Sequence, residues 1–148
     1  HAFYLRNMYL HNNLVKPGAI SFLDTPIDIS SITTPSYFLS TEQDHIALWT
    51  ATYKGARLHS GPVRFVLGGS GHIAGVINQE GSEKYGYHTH DELPEDPLLW
   101  HAESEQHQGS WWRDWNDWVS KGSKTTVAAR HIEKAIEPAP GSYVKVKI

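Results

Sequence analysis

The chain has 148 residues, of which 39% are hydrophobic and 20% charged, with a formal net charge of −3 when the histidines are neutral. This is the composition of a soluble globular domain, and the slightly acidic balance excludes the basic footprint that nucleic acid or an anionic membrane surface requires. Cysteine is absent, which removes a disulfide framework and a thiolate metal site and leaves a cytosolic setting as the default.

No apolar run approaches the ~18 residues of a membrane span, and no signal peptide is visible. The chain starts at His1 rather than methionine, so we expect a piece of a longer protein. Leu5, Met8, Tyr9 and Leu14 lie close to helical spacing and predict a helix that stops at Lys16-Pro-Gly18. Ile20-Ser-Phe22 and Ile27-Asp-Ile29 alternate around Asp24-Thr-Pro26, the pattern of two short half-exposed strands joined by a turn. The run Pro35 to Leu39 predicts a further strand, followed by a polar loop from Ser40 to His45.

Between Ile46 and Leu58, the residues Ile46, Trp49, Tyr53 and Ala56 predict a helix with one buried stripe. Val63 to Leu67 is rich enough in β-formers to predict a buried parallel strand. Strand, helix, strand then form a single right-handed crossover unit. A polar stretch rich in glycine and histidine runs to about Gln108. It gives way to a helix on which Trp111, Trp115 and Trp118 share a face. The end alternates from Tyr143 to Ile148, with Lys145 and Lys147 suiting an edge strand protected by charge. There is no internal repeat and no domain boundary, so residues 1–148 are expected to form part of one domain.

Asp44 and His72 occupy equivalent places, each in the loop after an apolar strand and 28 residues apart. Adjacent parallel strands lie ~4.8 Å apart, so residues just past their ends can meet. A carboxylate bonded to one imidazole nitrogen fixes the tautomer and leaves the other nitrogen free as a base. On the alternative reading, Asp44 caps the following helix and His72 is an ordinary turn residue. Gly68, Gly69 and Gly71 most simply serve backbone conformations closed to other residues. No nucleophile elbow precedes the pair. Gly68-Gly-Ser-Gly-His72 resembles one, but Ser70 is two residues from His72 in the same loop and cannot be what that imidazole activates.

Other groupings stay open. His88, His90 and Asp91, with His101 and His107, suggest either a metal site or a solvated loop, and the loop reading is preferred because no ligand pair has a known spacing. The tryptophan face serves either core docking, which aromatic residues at helical spacing more often do, or stacking against a polymer. His45 is either a helix-start residue or a neighbour of the active pair.

Several segments carry a family resemblance. They are Phe3-Tyr-Leu-Arg-Asn-Met-Tyr-Leu10, Glu42-Gln-Asp-His-Ile46, Arg64-Phe-Val-Leu-Gly-Gly-Ser-Gly-His-Ile-Ala-Gly-Val-Ile-Asn78, Gly109-Ser-Trp-Trp112 with Asp114-Trp115, and Glu137-Pro-Ala-Pro-Gly141 with Tyr143-Val-Lys145. In these the chain resembles the C-terminal part of the polyhydroxyalkanoate synthases, most closely the class I poly(3-hydroxybutyrate) polymerases. The resemblance implies an α/β-hydrolase fold and an acyltransferase that polymerises (R)-3-hydroxyacyl-CoA into polyester with release of CoA.

It implies catalytic roles for Asp44 and His72, with His45 near the active site and the cysteine of the triad upstream of His1. No metal or other cofactor is expected. The implied setting is the cytoplasm, at the surface of polyester granules, with a homodimeric parent. This fragment alone is expected to be inactive. The rival readings are an esterase or polyester depolymerase of the same fold, and a non-catalytic interaction module using the tryptophan helix.

Overall fold

A computed structural model describes residues 1–123 and 125–147. Its centre is the apolar run read above as a buried strand. β4 (Val63–Gly68) pairs in parallel with β3 (Ser36–Thr41), in a register from Ser36 opposite Val63 to Thr41 opposite Gly68. Helix α2 (Trp49–Ala56) connects them. Two short strands then join the same sheet, each antiparallel to its neighbour: β5 (Tyr87–Thr89) against β4, and β6 (Glu105–His107) against β5. The order is β3-β4-β5-β6, a mixed sheet within an α/β architecture.

Side chains alternate across a strand, and β4 uses both faces. Phe65 and Leu67 are fully buried with Tyr53 and Ala56 of α2 and Trp100 of α3 (Pro97–Glu103). Phe65 meets Trp100 edge-on at 5.1 Å and Tyr53 edge-on at 5.0 Å, the arrangement that aromatic quadrupoles prefer. Tyr53 donates its hydroxyl to the Pro94 carbonyl at 2.7 Å, and burial pushes that hydroxyl up to about 12. On the other face, the register partners Tyr37 and Arg64 reach together for Asp114 of α4 (Trp112–Ser120). Tyr37 donates to Asp114 Oδ1 at 2.9 Å, and Arg64 Nη2 to Oδ2 at 2.5 Å, while Arg64 Nη1 bonds Asp91 at 3.1 Å. Burial, then the Asp114 charge, holds the Tyr37 hydroxyl far above the usual tyrosine range.

Several expectations are corrected. The first helix is an α-helical turn, α1 (Ala2–Tyr4), that widens into π turns over Leu5–Leu10 and ends before Leu14. The hairpin strands are β1 (Ile20–Phe22) and β2 (Thr25–Ile27), and the turn lies at Leu23 and Asp24, with φ of 47° and 61°. Two left-handed residues in a two-residue loop match the strand twist. That register pairs Ser21 with Pro26, between the bonded pairs, where the missing N–H is not needed. Helix α2 starts at Trp49, so Ile46 is 68% exposed and outside the buried stripe.

The histidine-rich stretch is not a loop. Asp96 caps α3 by accepting from the Leu98 N–H at 2.9 Å, with Pro97 in the first turn, and His88 and His107 lie on strands. His88 bonds Ser104 Oγ at 3.0 Å and His107 bonds Thr89 Oγ1 at 2.7 Å. Among the described residues, no three potential metal ligands converge. The tryptophan face docks only in part. Trp118 and Trp111 pack on Tyr37 at 5.4 and 6.3 Å, whereas Trp115 is 46% exposed and α4 buries no residue. At the end, Tyr143–Lys145 forms a 3-10 turn rather than an edge strand, because alternation without a neighbouring ladder does not make a strand; Ile148 lies outside the described residues.

Asp114→Asn keeps the shape of the network and removes its charge, leaving the Arg64 guanidinium with a weaker partner in a half-buried site. The expected loss is about 2 kcal/mol, read as a lower urea midpoint at unchanged slope.

Candidate active site

Parallel strands deliver their carboxyl ends to the same side of a sheet. The bonding between β3 and β4 also continues past their level ends. The Glu42 N–H donates to the Gly68 carbonyl and the Gln43 N–H to the Ser70 carbonyl, both at 2.9 Å. The two loops therefore leave the sheet together. Asp44 and His72 meet there, with His72 Nδ1 2.7 Å from Asp44 Oδ2. An ionised carboxylate only accepts, so Nδ1 carries the proton and donates, and Nε2 holds the free lone pair. The His72 side chain is half exposed while Asp44 is buried, so that lone pair is open to an incoming group.

Asp44 also accepts the N–H groups of Ile46 at 2.8 Å and Ala47 at 3.0 Å on Oδ1. The capping reading and the paired reading are thus both true, one on each oxygen. What Asp44 caps is the bend leading into α2, since the helix itself begins at Trp49. The hydrogen bond from His72, followed by that from the Ala47 N–H, lowers the Asp44 carboxyl to about 2.

The loop carrying His72 is shaped differently from the expectation. The left-handed residue is Ser70, at φ 69°, whereas Gly68, Gly69 and Gly71 have no positive φ. A non-glycine residue in that region is strained, and the bond from Gln43 to its carbonyl helps hold it. Gly68 and Gly69 serve close approach instead, since a Cβ on either would stand 3.2 Å from the Gly75 carbonyl oxygen or 3.1 Å from that of Gly86. Gly75 is more confined than either, because a Cβ there would collide with the Gly69 carbonyl and the Thr41 side chain.

His45 is exposed and makes no side-chain hydrogen bond among the described residues, so it adjoins Asp44 in sequence without joining the pair. Polar contacts that sequence reasoning did not foresee brace the segment that follows His72. Asn78, 4% exposed, donates Nδ2 to the carbonyls of Lys84 at 2.8 Å and Tyr85 at 2.9 Å. Trp111 and Trp112 donate their indole N–H groups to the Val76 carbonyl. The specific Gly109-Ser-Trp-Trp112 motif was the signal for the latter, though nothing in it names the acceptor. Ile46, Leu48, Ile73 and Ile77, which flank the pair in sequence, are 68%, 59%, 71% and 67% exposed.

Fold and pair define a mixed α/β protein with a carboxylate-oriented imidazole at the ends of two parallel strands. No protein-family model matches the chain. Over 99% of its length it is 45% identical to poly(3-hydroxyalkanoate) polymerase subunit PhaC of Cupriavidus necator and 41% identical to that of Rhizobium meliloti. Over 95% of its length it is 33% identical to poly(3-hydroxyalkanoate) polymerase 1 of Ectopseudomonas oleovorans. The chain spans 26%, 24% and 26% of these three relatives, about a quarter of each. It belongs to the poly(3-hydroxyalkanoate) polymerase family, as a segment of the longer protein.

An unfolded aspartate takes up its proton near ~3.9, whereas Asp44 does so near about 2. The contact therefore stabilises the fold fully above pH ~4 and its contribution is lost as pH falls toward 2. Carboxyl-13C NMR of aspartate-labelled protein is expected to show one resonance titrating near pH 2. In His72→Gln that midpoint moves up toward the ordinary range, and an unmoved midpoint would disprove the assignment of its cause.

Proposed function

We propose that this chain is the part of a poly(3-hydroxyalkanoate) polymerase that supplies the base and its orienting acid, within an α/β-hydrolase domain that the longer protein completes. One observation carries the reading. His72 donates to Asp44 at 2.7 Å with Nε2 open, and it does so at parallel strand ends in a chain 45% identical to a polymerase of this family. The third member of the triad is a cysteine thiol from the part of the polymerase outside this chain.

The chemistry follows from the tautomer. Nε2 takes the thiol proton, and the thiolate attacks the thioester carbonyl of an (R)-3-hydroxyacyl-CoA. CoA leaves as its thiol with the proton returned from Nε2, and an acyl-enzyme remains. The hydroxyl of a further hydroxyacyl unit then gives its proton to Nε2 and attacks that acyl group; the C–S bond breaks, the cysteine leaves as its thiol with that proton, and the two units are joined by one ester bond. Asp44 stabilises the imidazolium that forms in each transfer. The exposed isoleucines and leucine beside the pair suit an acyl group and an apolar product.

In the full polymerase, His72→Gln removes the base and is expected to lower turnover by at least ~10²-fold. Asp44→Asn is expected to do likewise, because the Ile46 and Ala47 N–H groups keep the amide oxygen and leave the amide NH2, a donor, facing His72 Nδ1, which favours the wrong tautomer. Measured as CoA release, retention of more than about a tenth of the wild-type rate by His72→Gln would overturn the proposal.

A further inference from the structure

The turn that carries His72 ends on a carbonyl with two donors. After Ser70 the chain closes a single helical turn, in which the Gly75 N–H donates to the Gly71 carbonyl at 3.0 Å and the Ile77 N–H to the Ile73 carbonyl at 2.9 Å. No helix continues beyond Ile77, so the last carbonyls of the turn have no partner within it. Val76 carries one of them. Trp111 Nε1 donates to it at 3.1 Å and Trp112 Nε1 at 3.2 Å. A carbonyl oxygen has two lone pairs, and the two indoles fill both.

Consecutive helical side chains diverge by about 100°. These two nevertheless reach one acceptor, Trp111 from the N-cap of α4 and Trp112 from its first residue. Ser110 Oγ accepts the Trp112 N–H at 3.1 Å, and Gly109 turns the chain at φ 81°. A weaker, shared contact joins the same segments, with Asn78 Nδ2 3.4 Å from the Gly109 carbonyl. The far end of the clamp is anchored as well. Asp114 on α4 is bonded to Tyr37 of β3 and Arg64 of β4, the strands whose tips carry Asp44 and His72.

We propose that Trp111 and Trp112 are positioning residues for His72: their shared bond to the Val76 carbonyl fixes the turn that bears the imidazole and keeps Nδ1 within reach of Asp44. Neither indole touches the reacting groups, so the effect runs through the backbone of residues 71–77. The inference rests on the reading of His72 as the base. It also requires redundancy, because either indole alone still leaves the carbonyl with a donor.

The test uses the full polymerase, with Trp111→Phe, Trp112→Phe and the double variant, each of which keeps a ring and loses the N–H. Each single variant is expected to stay within about threefold of the wild-type kcat, and the double variant to fall by about tenfold or more, beyond the product of the singles, with KM little changed. The second readout is the downfield proton resonance of the His72 Nδ1–H, assigned by its loss in His72→Gln. It should weaken or vanish in the double variant while the unfolding midpoint is kept. If the double variant does not fold, benzothienylalanine at both positions preserves the two-ring shape without the N–H.

A double variant with wild-type kcat and an unmoved His72 resonance overturns the clamp. So does a loss of kcat with the resonance unmoved. Activity retained by His72→Gln would instead overturn the reading of the base, so the two failures are distinguishable.

Discussion

The parallel ladder of β3 and β4 ends level, with Thr41 opposite Gly68, and the two chains stay bonded for two more residues before they part. The site depends on that register. It lets the spacing between Asp44 and His72 be set by the ~4.8 Å separation of neighbouring strands, rather than by two loops finding each other independently. An antiparallel pairing would send the loops to opposite ends of the sheet. A slip of β4 by one residue would turn Arg64 away from Asp114 and into the aromatic core. The same hydrogen bonds that align the core thus also align the polar pair.

The two faces of the sheet are held by different physics. Phe65 and Leu67 face an apolar cluster closed by Tyr53 and Trp100. On the opposite face, a helix dense in tryptophan is anchored by one aspartate shared between an arginine and a tyrosine. Hydrogen bonds are directional where apolar contact is not, so this second attachment fixes the orientation of α4 while burying none of its residues. Trp112 and Trp115 stay open to solvent, as do the isoleucines beside His72. Such exposure fits a segment that covers about a quarter of its relatives.

Much of this was legible in the sequence. A run of β-formers ending in glycine placed β4, proline and the polar loop bracketed β3, and the interval between Asp44 and His72 matched one crossover. Local pattern was insufficient where partners decide. Tyr87–Thr89 and Glu105–His107 are three-residue strands, too short for alternation to register, and each exists because the strand before it offers an edge. Helix α3 did carry its signature, an aspartate followed by proline, but the surrounding histidines obscured it. At the tail the error ran the other way, since perfect alternation from Tyr143 found no ladder to join. The glycines before His72 were noticed for the wrong reason: they make room, and a serine takes the strained conformation.

The three hydrogen bonds on Asp44 bear on how labour is divided in the proposed reaction. One oxygen is occupied by two backbone amides and the other by the imidazole, and a carboxylate whose proton affinity has fallen to about 2 is a feeble acceptor for an alcohol's hydrogen. It has neither the freedom to swing toward a second reactant nor the basicity to activate one. On the proposed reading, the imidazole rather than the carboxylate therefore serves both halves of each elongation cycle, first for sulfur and then for oxygen.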